Sequence, residues 1–360
     1  MKRIKKLVLF ALVCLMMTSC NLKTTDTAGD TSVKDKNTNS ENPISDDSNP
    51  KSRDIFAMDT YMTLTAYGAN AQTALDEAES EIERLDALLS TGDENSEIYK
   101  LNQNGTGTIS EDTEMLLDES EKLYTDTNGV FDITIYPVME AWGFTTQNYR
   151  IPSDEELDTL LKNVDASKIQ YDENVKKISL PENVKIDFGG IAKGYTSSRI
   201  MDIYKKCGIT SGMVSLGGNV QLLGSKPDGS PWRVAVQSPD DTEDYLGILE
   251  TEDKAVITSG GYERYFEKDG MTYHHIIDPS TGYPAENGLK SVTIISNDGT
   301  LADGLSTSLF IMGRGKACDF WKKHSDKFDM ILMTDNNELY VSSGIADAFS
   351  SDLTTHIVEK

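Results

Sequence analysis

The stretch IDFGGIAKGYTSSRI, residues 186–200, joins a predicted strand to a predicted helix through a glycine pair. The strand would deliver Asp187, and the helix would begin near Ala192. Free N–H groups and the dipole at a helix N-terminus favour phosphate, and Lys193 would add a positive charge there. Taken alone, a Gly-Gly turn is more often just a tight turn, so the phosphate prediction depends on the rest of the chain.

Three helices are predicted before this stretch. Apolar residues recur at helical spacing over residues 71–90, which predicts an amphipathic helix. A second helix is predicted over residues 111–127, behind Ser110. Ser153 and Glu156 have the spacing of a capping box, which predicts the start of a third.

Short strand patterns fill much of the remaining chain. Residues 169–180 predict a hairpin that turns at 172–174, and residues 262–277 predict two strands joined at 268–270 by an Asp-Gly turn. Further strands are predicted at 213–216, 232–237, 246–250, 255–258 and 291–296, with a last hairpin at 330–333 and 338–342. Because strands and helices mix without a regular βαβ repeat, the fold class is α+β.

Charge and motif content exclude several classes of function. The chain has 34 Lys and Arg against 59 Asp and Glu, a net charge of −25. Nucleic acid is therefore not an expected partner, because binding to phosphate backbones needs a basic surface. The chain has no Walker loop, and LGGN at residues 216–219 is not a Rossmann fingerprint. The acidity is typical of a protein kept soluble outside the cell.

The start of the chain, MKRIKKLVLFALVCLMMTSC, reads as a secretory signal over residues 1–19. Its apolar run is about half the ~20 residues needed to span a bilayer, which disfavours a transmembrane anchor. TSC resembles a lipobox, with Met17 at the usual leucine position, so Cys20 would carry acyl chains such as palmitate. We expect the protein on the extracytoplasmic face of the cell membrane, held there by lipid on Cys20. Residues 20–53 predict a disordered tether before a folded domain over residues 54–360.

Two cysteines remain in the folded domain, Cys207 and Cys318. Two thiols make neither a disulfide framework nor a metal cluster. A single bridge and two buried free thiols both remain open at this point.

A second stretch with unusual composition is FDITIYPVMEAWGF, residues 131–144. Pro137 and Gly143 would interrupt any regular element here. Alone, this stretch is typical of an irregular packing segment.

A third stretch, TSGGYERYFEKDGMTYHHIIDPSTGYP, covers residues 258–284. If its histidines lie on a strand, His274 and His275 point to opposite faces and do not serve one metal together. A buried, hydrogen-bonded histidine is the more common outcome for either residue. Asp278 starts a predicted turn in DPSTG.

The fourth stretch, LADGLSTSLFIMG at residues 301–313, predicts a helix that Gly313 ends. Asp303 and Thr307 are four residues apart and share a helix face beside Ser306. A carboxylate with a hydroxyl suits Mg²⁺, which usually takes one or two protein carboxylates and completes its octahedron with phosphate and water. The alternative is an acidic residue that only interacts favourably with the helix dipole.

Taken together and in order, IDFGGIAKGY, SLGGN, TSGGYERYF, YHHIIDPSTGYP and ADGLST resemble the blocks of the FAD:protein FMN transferases. These are the ApbE-type proteins formerly called thiamine-biosynthesis lipoproteins. The resemblance covers nearly all of the chain from Met58 onward and includes the lipoprotein start. It implies an ApbE-like, T-fold-like α+β fold with mixed sheets and helices in two closely packed lobes, and an FAD groove between the lobes. Residues 54–360 would then be the flavin transferase catalytic domain.

The resemblance also implies the residues of the site. The positions that match FAD contacts are Met58, Val130, Phe131, Asp132, Asp187, Lys193 and Ile277. The positions that match metal contacts are Gly190, Asp303, Ser306 and Thr307. Asp303 would be catalytic through the metal, and His275 and Asp278 are candidates for the general base because they lie near the matched groove.

One family position does not match. The family often has an aromatic residue after Leu-Ser-Thr, whereas Leu89, Ser90 and Thr91 are followed here by Gly92. Ring stacking contributes about 0.5–1.5 kcal/mol beyond burial, so its loss would weaken or relocate one ring contact without abolishing binding. Tyr99 is a candidate substitute.

The activity implied by the resemblance is Mg²⁺-dependent transfer of FMN from FAD to a threonine or serine hydroxyl of an exported acceptor flavoprotein, with release of AMP. Such phosphoryl transfer is mostly positioning plus electrostatic stabilisation. Two other functions remain open. With water as the acceptor the same site would be a Mg²⁺-dependent FAD pyrophosphatase, and without chemistry the chain would be a flavin-binding lipoprotein.

Overall fold

The computed structural model describes residues 49–241 and 243–360. The predicted signal over 1–19, the lipidation site Cys20 and most of the predicted tether lie outside the described residues. The first strand, Lys51–Ala57, begins before the predicted domain boundary at residue 54.

The described part of the chain contains seven α-helices and seventeen strands. The helices are α1 Ala71–Leu89, α2 Glu97–Asn104, α3 Glu111–Asp126, α4 Tyr136–Trp142, α5 Asp154–Leu161, α6 Ala192–Lys206 and α7 Gly299–His324. The first nine strands are β1 Lys51–Ala57, β2 Thr60–Ala66, β3 Thr106–Thr108, β4 Gln170–Asp172, β5 Lys177–Ser179, β6 Gly212–Leu216, β7 Asn219–Leu223, β8 Trp232–Gln237 and β9 Tyr245–Thr251. The others are β10 Ala255–Gly260, β11 Tyr265–Lys268, β12 Met271–His274, β13 Leu289–Ser296, β14 Phe328–Thr334, β15 Leu339–Ser342, β16 Phe349–Ser350 and β17 Thr355–Val358.

A nine-stranded sheet with the order β1-β2-β6-β7-β10-β13-β14-β15-β17 forms the centre of the fold. Its neighbouring strands are antiparallel except for the parallel pair β15 and β17. Three smaller sheets accompany it: β16-β9-β8, β3-β5-β4, and the two-stranded hairpin β11-β12. The class is α+β, as the sequence predicts; the division into two lobes stays a prediction.

The two faces of the central sheet are covered differently. Helices α1, α6 and α7 pack on one face, and the β8-β9-β16 sheet covers part of the other. On β10, Ile257 faces the helices, while Val256 packs toward β8 and β9. Because side chains alternate along a strand, Ser259 points toward α7 and Thr258 points away from it. Thr258 accordingly bonds to Thr293 on β13, at 2.8 Å between their hydroxyl oxygens.

Helix starts follow the local capping signals in the sequence. The Ser110 hydroxyl accepts a hydrogen bond from Thr113 N at the start of α3, and the Ser153 hydroxyl accepts one from Glu156 N at the start of α5. Such caps satisfy N–H groups that have no partner within the helix. The predicted helices over 71–90, over 111–127 and behind Ser153 are confirmed, although the first begins without a side-chain cap.

The predicted strand before the glycine pair is wrong. Residues 186–189 are not in a strand, but the backbone groups of Ile186 and Asp187 are hydrogen-bonded. The Asn102 side chain donates to Ile186 O and accepts from Ile186 N, each at 2.8 Å, and Asp187 N donates to Ile133 O at 3.0 Å. An amide side chain therefore takes the place of a neighbouring strand.

The stretch over 131–144 also differs from the prediction. Pro137 lies in the first turn of α4, where a missing N–H costs nothing, and Gly143 ends the same helix in the left-handed conformation. The two residues bound a helix where we expected them to interrupt one.

The last helix is longer than predicted. It starts at Gly299, two residues before the predicted start at 301. Gly313 breaks it with φ 73 and ψ 164, but helical turns resume and continue to His324. A Cβ on Gly313 would lie 2.8 Å from Asn287 O, and the Asn287 amide donates to Ile311 O at the break.

Cys207 and Cys318 are free thiols, each partly buried. Of the two alternatives left open by the sequence, the structure therefore has free cysteines. Within residues 49–241 and 243–360, no helix is long and apolar enough to cross a membrane.

Candidate functional site

The site is organised by a close crossing of α6 and α7. A Cβ on Gly194 would lie 2.1 Å from Gly299 O and 2.6 Å from the Asp303 Cβ. A Cβ on Gly299 would lie 2.7 Å from Gly194 O. Real Cβ contacts are not this short, so only glycine at both positions lets the helices approach this closely.

The crossing brings Asp303 onto the first turn of α6. The Gly194 N–H donates to Asp303 Oδ2 at 2.8 Å, and Asn219 Nδ2 donates to Oδ1 at 3.0 Å. The first-turn N–H groups of a helix have no helical acceptor, which leaves Gly194 N free for this bond. Asp303 is 4% exposed, and burial raises its pKa, an effect that the Lys193 charge and both hydrogen bonds oppose.

Three hydroxyl groups meet one turn further along α7. The Ser306 hydroxyl donates to Asp303 O at 2.8 Å. The Ser259 Oγ on β10 lies 2.7 Å from Ser306 Oγ and 3.3 Å from Thr307 Oγ1. Ser306 is wholly buried and Thr307 is partly exposed, so Thr307 is the hydroxyl closer to solvent.

The donor set around Asp303 fits Mg²⁺. Its carboxylate is buried and forms no ion pair within the described ranges, so its charge is neutralised only by N–H donors and by Lys193 at longer range. The Thr307 hydroxyl, four residues along the same helix, is a hard ligand of the same kind, and the Gly190 carbonyl stays a predicted one. The described part of the chain has no group of three or more His, Cys, Asp and Glu placed to hold a metal. A cation here would therefore depend on oxygens supplied by a bound phosphate.

Two cations lie near these groups. The Lys193 charge lowers the pKa values of Asp303, Asp187 and Glu263. The Arg264 charge lowers the pKa values of Asp187 and Glu263. Neither Lys193 nor Arg264 forms an ion pair with any residue that the structure describes. In so acidic a protein, unneutralised cations beside a helix N-terminus indicate a place for an anion.

Asp187 lies within electrostatic reach of both cations. Its Oδ1 accepts a hydrogen bond from Gly189 N at 2.9 Å. Burial raises the pKa of Asp187, while that hydrogen bond and the Arg264 and Lys193 charges lower it. The structure thus brings Asp303 to Asp187 and Lys193, which precede it by more than 100 residues in the sequence.

His275 lies within electrostatic reach of Lys193 and Arg264. Its Nδ1 lies 3.2 Å from Arg264 O, and because a carbonyl oxygen only accepts, Nδ1 carries the proton and Nε2 keeps its lone pair. Burial and the Arg264 and Lys193 charges lower the His275 pKa to about 3, so the ring is neutral at pH 7.

His274 has a different environment. Its Nε2 donates to Ala285 O at 3.0 Å and its Nδ1 accepts from Ile276 N at 3.3 Å, so both nitrogens are occupied. Its ring packs edge-on against Phe310 at 5.5 Å. His274 is therefore a partly buried histidine with both ring nitrogens hydrogen-bonded, which is close to the common outcome for such residues.

The Asp278 carboxylate turns into its own loop. Its Oδ1 accepts from Ser280 N at 2.8 Å and from Ser280 Oγ at 2.6 Å, and its carbonyl accepts from Thr281 N and Gly282 N. These bonds confirm the turn predicted for DPSTG. As a general base, Asp278 has less support from this geometry than His275 has.

The predicted FAD contacts that precede α6 in the chain lie on turns close to that helix. Met58 is in a turn between β1 and β2 with φ 48, and Thr196 on α6 donates to its sulfur at 3.7 Å. The Phe131 ring lies 3.0 Å from where a Cβ on Gly190 would be, and Val130 packs against the same core.

Asp132 and Ile277 are also buried. Asp132 accepts from Thr134 N at 2.8 Å and from Ala166 N at 3.1 Å, so its carboxylate fixes the local backbone. Ile277 is 5% exposed and pairs through its backbone with Pro284. Their roles as FAD contacts stay predictions, as do those of the other matched positions.

Gly92 lies in open space. A Cβ there would meet only Ser90 Oγ, at 4.0 Å, so a larger side chain fits at this position. The Ser90 hydroxyl accepts from Gly92 N at 3.2 Å and from Asp93 N at 3.1 Å, which keeps the loop ordered without an aromatic ring. Tyr99 is partly exposed on α2.

Sequence reasoning missed four residues of the site. They are Asn219, Ser259, Glu263 and Arg264. All four lie in the SLGGN and TSGGYERYF blocks, which the resemblance had already singled out. Their partners on α6 and α7 become clear only in the fold.

Comparison with known proteins identifies the family. The profile described as the ApbE family matches residues 58–332. A protein of Vibrio cholerae called FAD:protein FMN transferase is 33% identical over 282 residues, covering 76% of this chain and 84% of its own. The protein of the same name from Haemophilus influenzae is 31% identical over 294 residues, covering 79% of this chain and 85% of its own.

Solved structures agree in fold. The ApbE protein of Thermotoga maritima superposes with a TM-score of 0.79 at 32% identity and covers 83% of this chain and 99% of its own. The flavin transferase ApbE of Vibrio cholerae gives a TM-score of 0.75 at 28% identity, with the same coverage of both chains.

Proposed function

The chain belongs to the ApbE family and is a flavin transferase that uses FAD, and from this premise we propose that it transfers FMN to a threonine or serine hydroxyl of an acceptor protein with Mg²⁺. One observation carries the proposal. A buried carboxylate without an ion-pair partner, Asp303, lies within electrostatic reach of a cation, Lys193. The carboxylate would hold a metal ion and the lysine would lie near the anion, so that both the metal and Lys193 would offset the negative charge of a pyrophosphate.

Asp303, Thr307 and the Gly190 carbonyl would hold the metal. Mg²⁺ there would offset negative charge on the pyrophosphate as the bond to AMP breaks. Asp303 is held in place by Gly194 N and Asn219 Nδ2, so its orientation does not need to change when substrate binds.

Lys193 and Arg264 would hold the anionic part of FAD near the N-terminus of α6. None of these cations is committed to an ion pair within the part of the chain that the structure describes. Positive groups that are already in place stabilise charge in the transition state without reorganisation. Asp187, Met58 and Phe131 would contact the remainder of the dinucleotide.

His275 would accept the proton of the acceptor hydroxyl. The hydroxyl oxygen attacks the phosphorus of the FMN half, the bond from that phosphorus to the bridging oxygen breaks, and AMP leaves with that oxygen. Nε2 is the unprotonated ring nitrogen, because Nδ1 donates to Arg264 O. Bound pyrophosphate would offset the Arg264 and Lys193 charges and so raise the His275 pKa toward the range of a useful base.

The acceptor and the enzyme would meet at the cell membrane. The lipobox-like TSC and the tether over 20–53 support a lipid anchor on Cys20 at the extracytoplasmic face. Cys20→Ala should therefore move the protein out of the membrane fraction, as detergent-phase partitioning would show. A variant that partitions like the wild type would contradict the anchor.

Intact-mass spectrometry of an acceptor flavoprotein subunit tests the proposed activity. After incubation with FAD and Mg²⁺, the acceptor should gain the mass of one FMN, and fragmentation should place it on a threonine or serine. Release of AMP and free FMN with an unmodified acceptor would indicate a pyrophosphatase instead. Bound flavin without any AMP would indicate a non-enzymatic flavin-binding protein.

A further inference from the structure

Ser259 bridges β10 and α7 beside the proposed metal ligands. Its Oγ lies 2.7 Å from Ser306 Oγ and 3.3 Å from Thr307 Oγ1. Ser306 in turn donates to Asp303 O at 2.8 Å. These three contacts form one continuous chain of hydrogen bonds from Thr307 to the backbone of Asp303.

The direction of this chain follows from counting protons. A carbonyl oxygen only accepts, so the Ser306 proton goes to Asp303 O and Ser306 Oγ accepts from Ser259. The single hydroxyl proton of Ser259 is therefore donated to Ser306 Oγ. In its contact with Thr307, Ser259 Oγ must accept the hydrogen bond and the Thr307 hydroxyl must donate it. The Thr307 proton therefore points toward β10, and the lone pairs of Thr307 Oγ1 point elsewhere.

We propose that Ser259 is a positioning residue that aims a lone pair of Thr307 Oγ1 at a divalent cation held by Asp303. The proposal rests on the proposed function, because it needs the cation. A hydroxyl that coordinates a metal must turn its proton away, and Ser259 is the acceptor that takes it. Groups that orient a metal ligand in this way typically change metal affinity about 10–100-fold when removed.

The position of Ser259 is fixed by the sheet. It is paired with Val292 on β13 and lies one residue before the end of β10. Its neighbour Thr258 has a hydroxyl of similar exposure but faces away from α7 and bonds to Thr293. Thr258→Ala is therefore a matched control, since it removes a hydroxyl and one hydrogen bond from the same strand.

Mn²⁺ binding to the protein saturated with FAD, without acceptor, tests the proposal. The free Mn²⁺ signal in electron paramagnetic resonance falls as the ion binds, so affinity is measured without turnover. Ser259→Ala should weaken Mn²⁺ binding about tenfold, at the low end for such residues. Ser259→Cys keeps the volume with a poor donor and acceptor and should also weaken it, while Thr258→Ala should bind like the wild type.

A double-mutant cycle with Thr307→Val separates positioning from a general structural effect. If Ser259 acts through Thr307, Ser259→Ala should have little further effect on Mn²⁺ affinity in the Thr307→Val background. Wild-type affinity in Ser259→Ala, equal losses in Ser259→Ala and Thr258→Ala, or fully additive losses with Thr307→Val would each overturn the proposal. A wild-type protein that binds no Mn²⁺ with FAD present would overturn the metal-dependent function itself.

Discussion

The two sides of the site are built on very different supports. The Asp303 side rests on α6 and α7, whose glycine crossing is packed against the central sheet. The His275 side rests on the β11-β12 hairpin, whose strands pair only with each other among the residues that the structure describes. That hairpin is held by stacked rings, with Phe266 5.2 Å from Tyr273 and 5.1 Å from Tyr149.

The difference suggests that the Asp303 side holds the metal and the His275 side handles the proton. Metal geometry tolerates little displacement, and the elements that would fix it are buried and have many partners. Proton transfer to His275 would need an acceptor protein to approach, and His275 follows a hairpin that is not part of the central sheet. Peripheral elements with few partners also open more easily than core elements.

Removing the charge on the rigid side should have the largest effect. Asp303→Ala should lower the rate of flavin transfer on the order of 10²–10³-fold, because several kcal/mol of transition-state stabilisation depend on the metal. FAD binding should decline less, since Lys193 and Arg264 remain. In-gel flavin fluorescence of the acceptor over a Mg²⁺ titration measures the rate, and circular dichroism checks folding. Wild-type transfer by a folded variant would mean that Asp303 only stabilises its helix.

Removing the base on the hairpin side should lower the rate by about 10²-fold and leave the metal requirement unchanged. General base catalysis contributes typically 10²–10⁴-fold, and His275→Gln deletes the Nε2 lone pair. The midpoint of the Mg²⁺ titration should stay at the wild-type value, in contrast to Asp303→Ala. His324→Gln, on the far end of α7, is the control. A shifted Mg²⁺ midpoint in His275→Gln would break the proposed division between the two sides.

Disturbing the glycine crossing should cost stability. Gly194→Ala places a methyl group 2.1 Å from Gly299 O, and overpacking of this kind typically costs about 1–3 kcal/mol. Gly315→Ala, on the partner helix α7 but with nothing within 4 Å of its Cβ position, should be neutral or slightly stabilising. Urea unfolding of both variants measures the difference. Equal midpoints would show that the crossing has more freedom than its geometry indicates.

The smallest expected effect is a pH-dependent change in stability on the hairpin side. Glu263 precedes β11 and its side chain is exposed in part, but desolvation of its carboxyl group raises its pKa to about 7 from a usual 4.5. The Asp303 charge adds to the rise, and the Lys193 and Arg264 charges oppose it. The unfolded chain therefore releases the Glu263 proton at a lower pH than the folded protein does. As a result, the free energy of unfolding falls as the pH rises from about 4.5 to about 7, and it does not fall further for this reason above about pH 7.

Glu263→Gln removes this effect. Its thermal midpoint should exceed that of the wild type at about pH 8, and the gain should disappear near pH 4.5. Glu267→Gln, exposed on β11, is the matched control and should not show a pH-dependent gain. A gain of equal size at both pH values would mean that the charge of Glu263 is not the cause.

The sequence predicts elements whose signals are local. The helix starts behind Ser110 and Ser153, the hairpin over 169–180 and the 268–270 turn were found because caps and turn residues lie next to the elements they define. The prediction failed where the partner is distant: Asn102 replaces a strand beside Ile186 from 84 residues away.

The candidate site shows the same limit. Spacing on one helix predicts that Asp303 and Thr307 share a face, and the resemblance adds the positions matched across the chain. The contacts of Asp303 with Asn219 and Gly194, and of Ser259 with Thr307, depend on strand order and helix crossing. No local pattern encodes those distances, so these residues became visible only in the fold.

The most direct test counts products with and without the metal. AMP released and flavin attached to the acceptor are measured in the same reaction, once with Mg²⁺ and once with excess chelator. We predict one AMP for each FMN attached to a hydroxyl of the acceptor, and neither product after chelation. AMP formed without attached flavin, or full transfer in the presence of chelator, would contradict Mg²⁺-dependent FMN transfer at the Asp303 site.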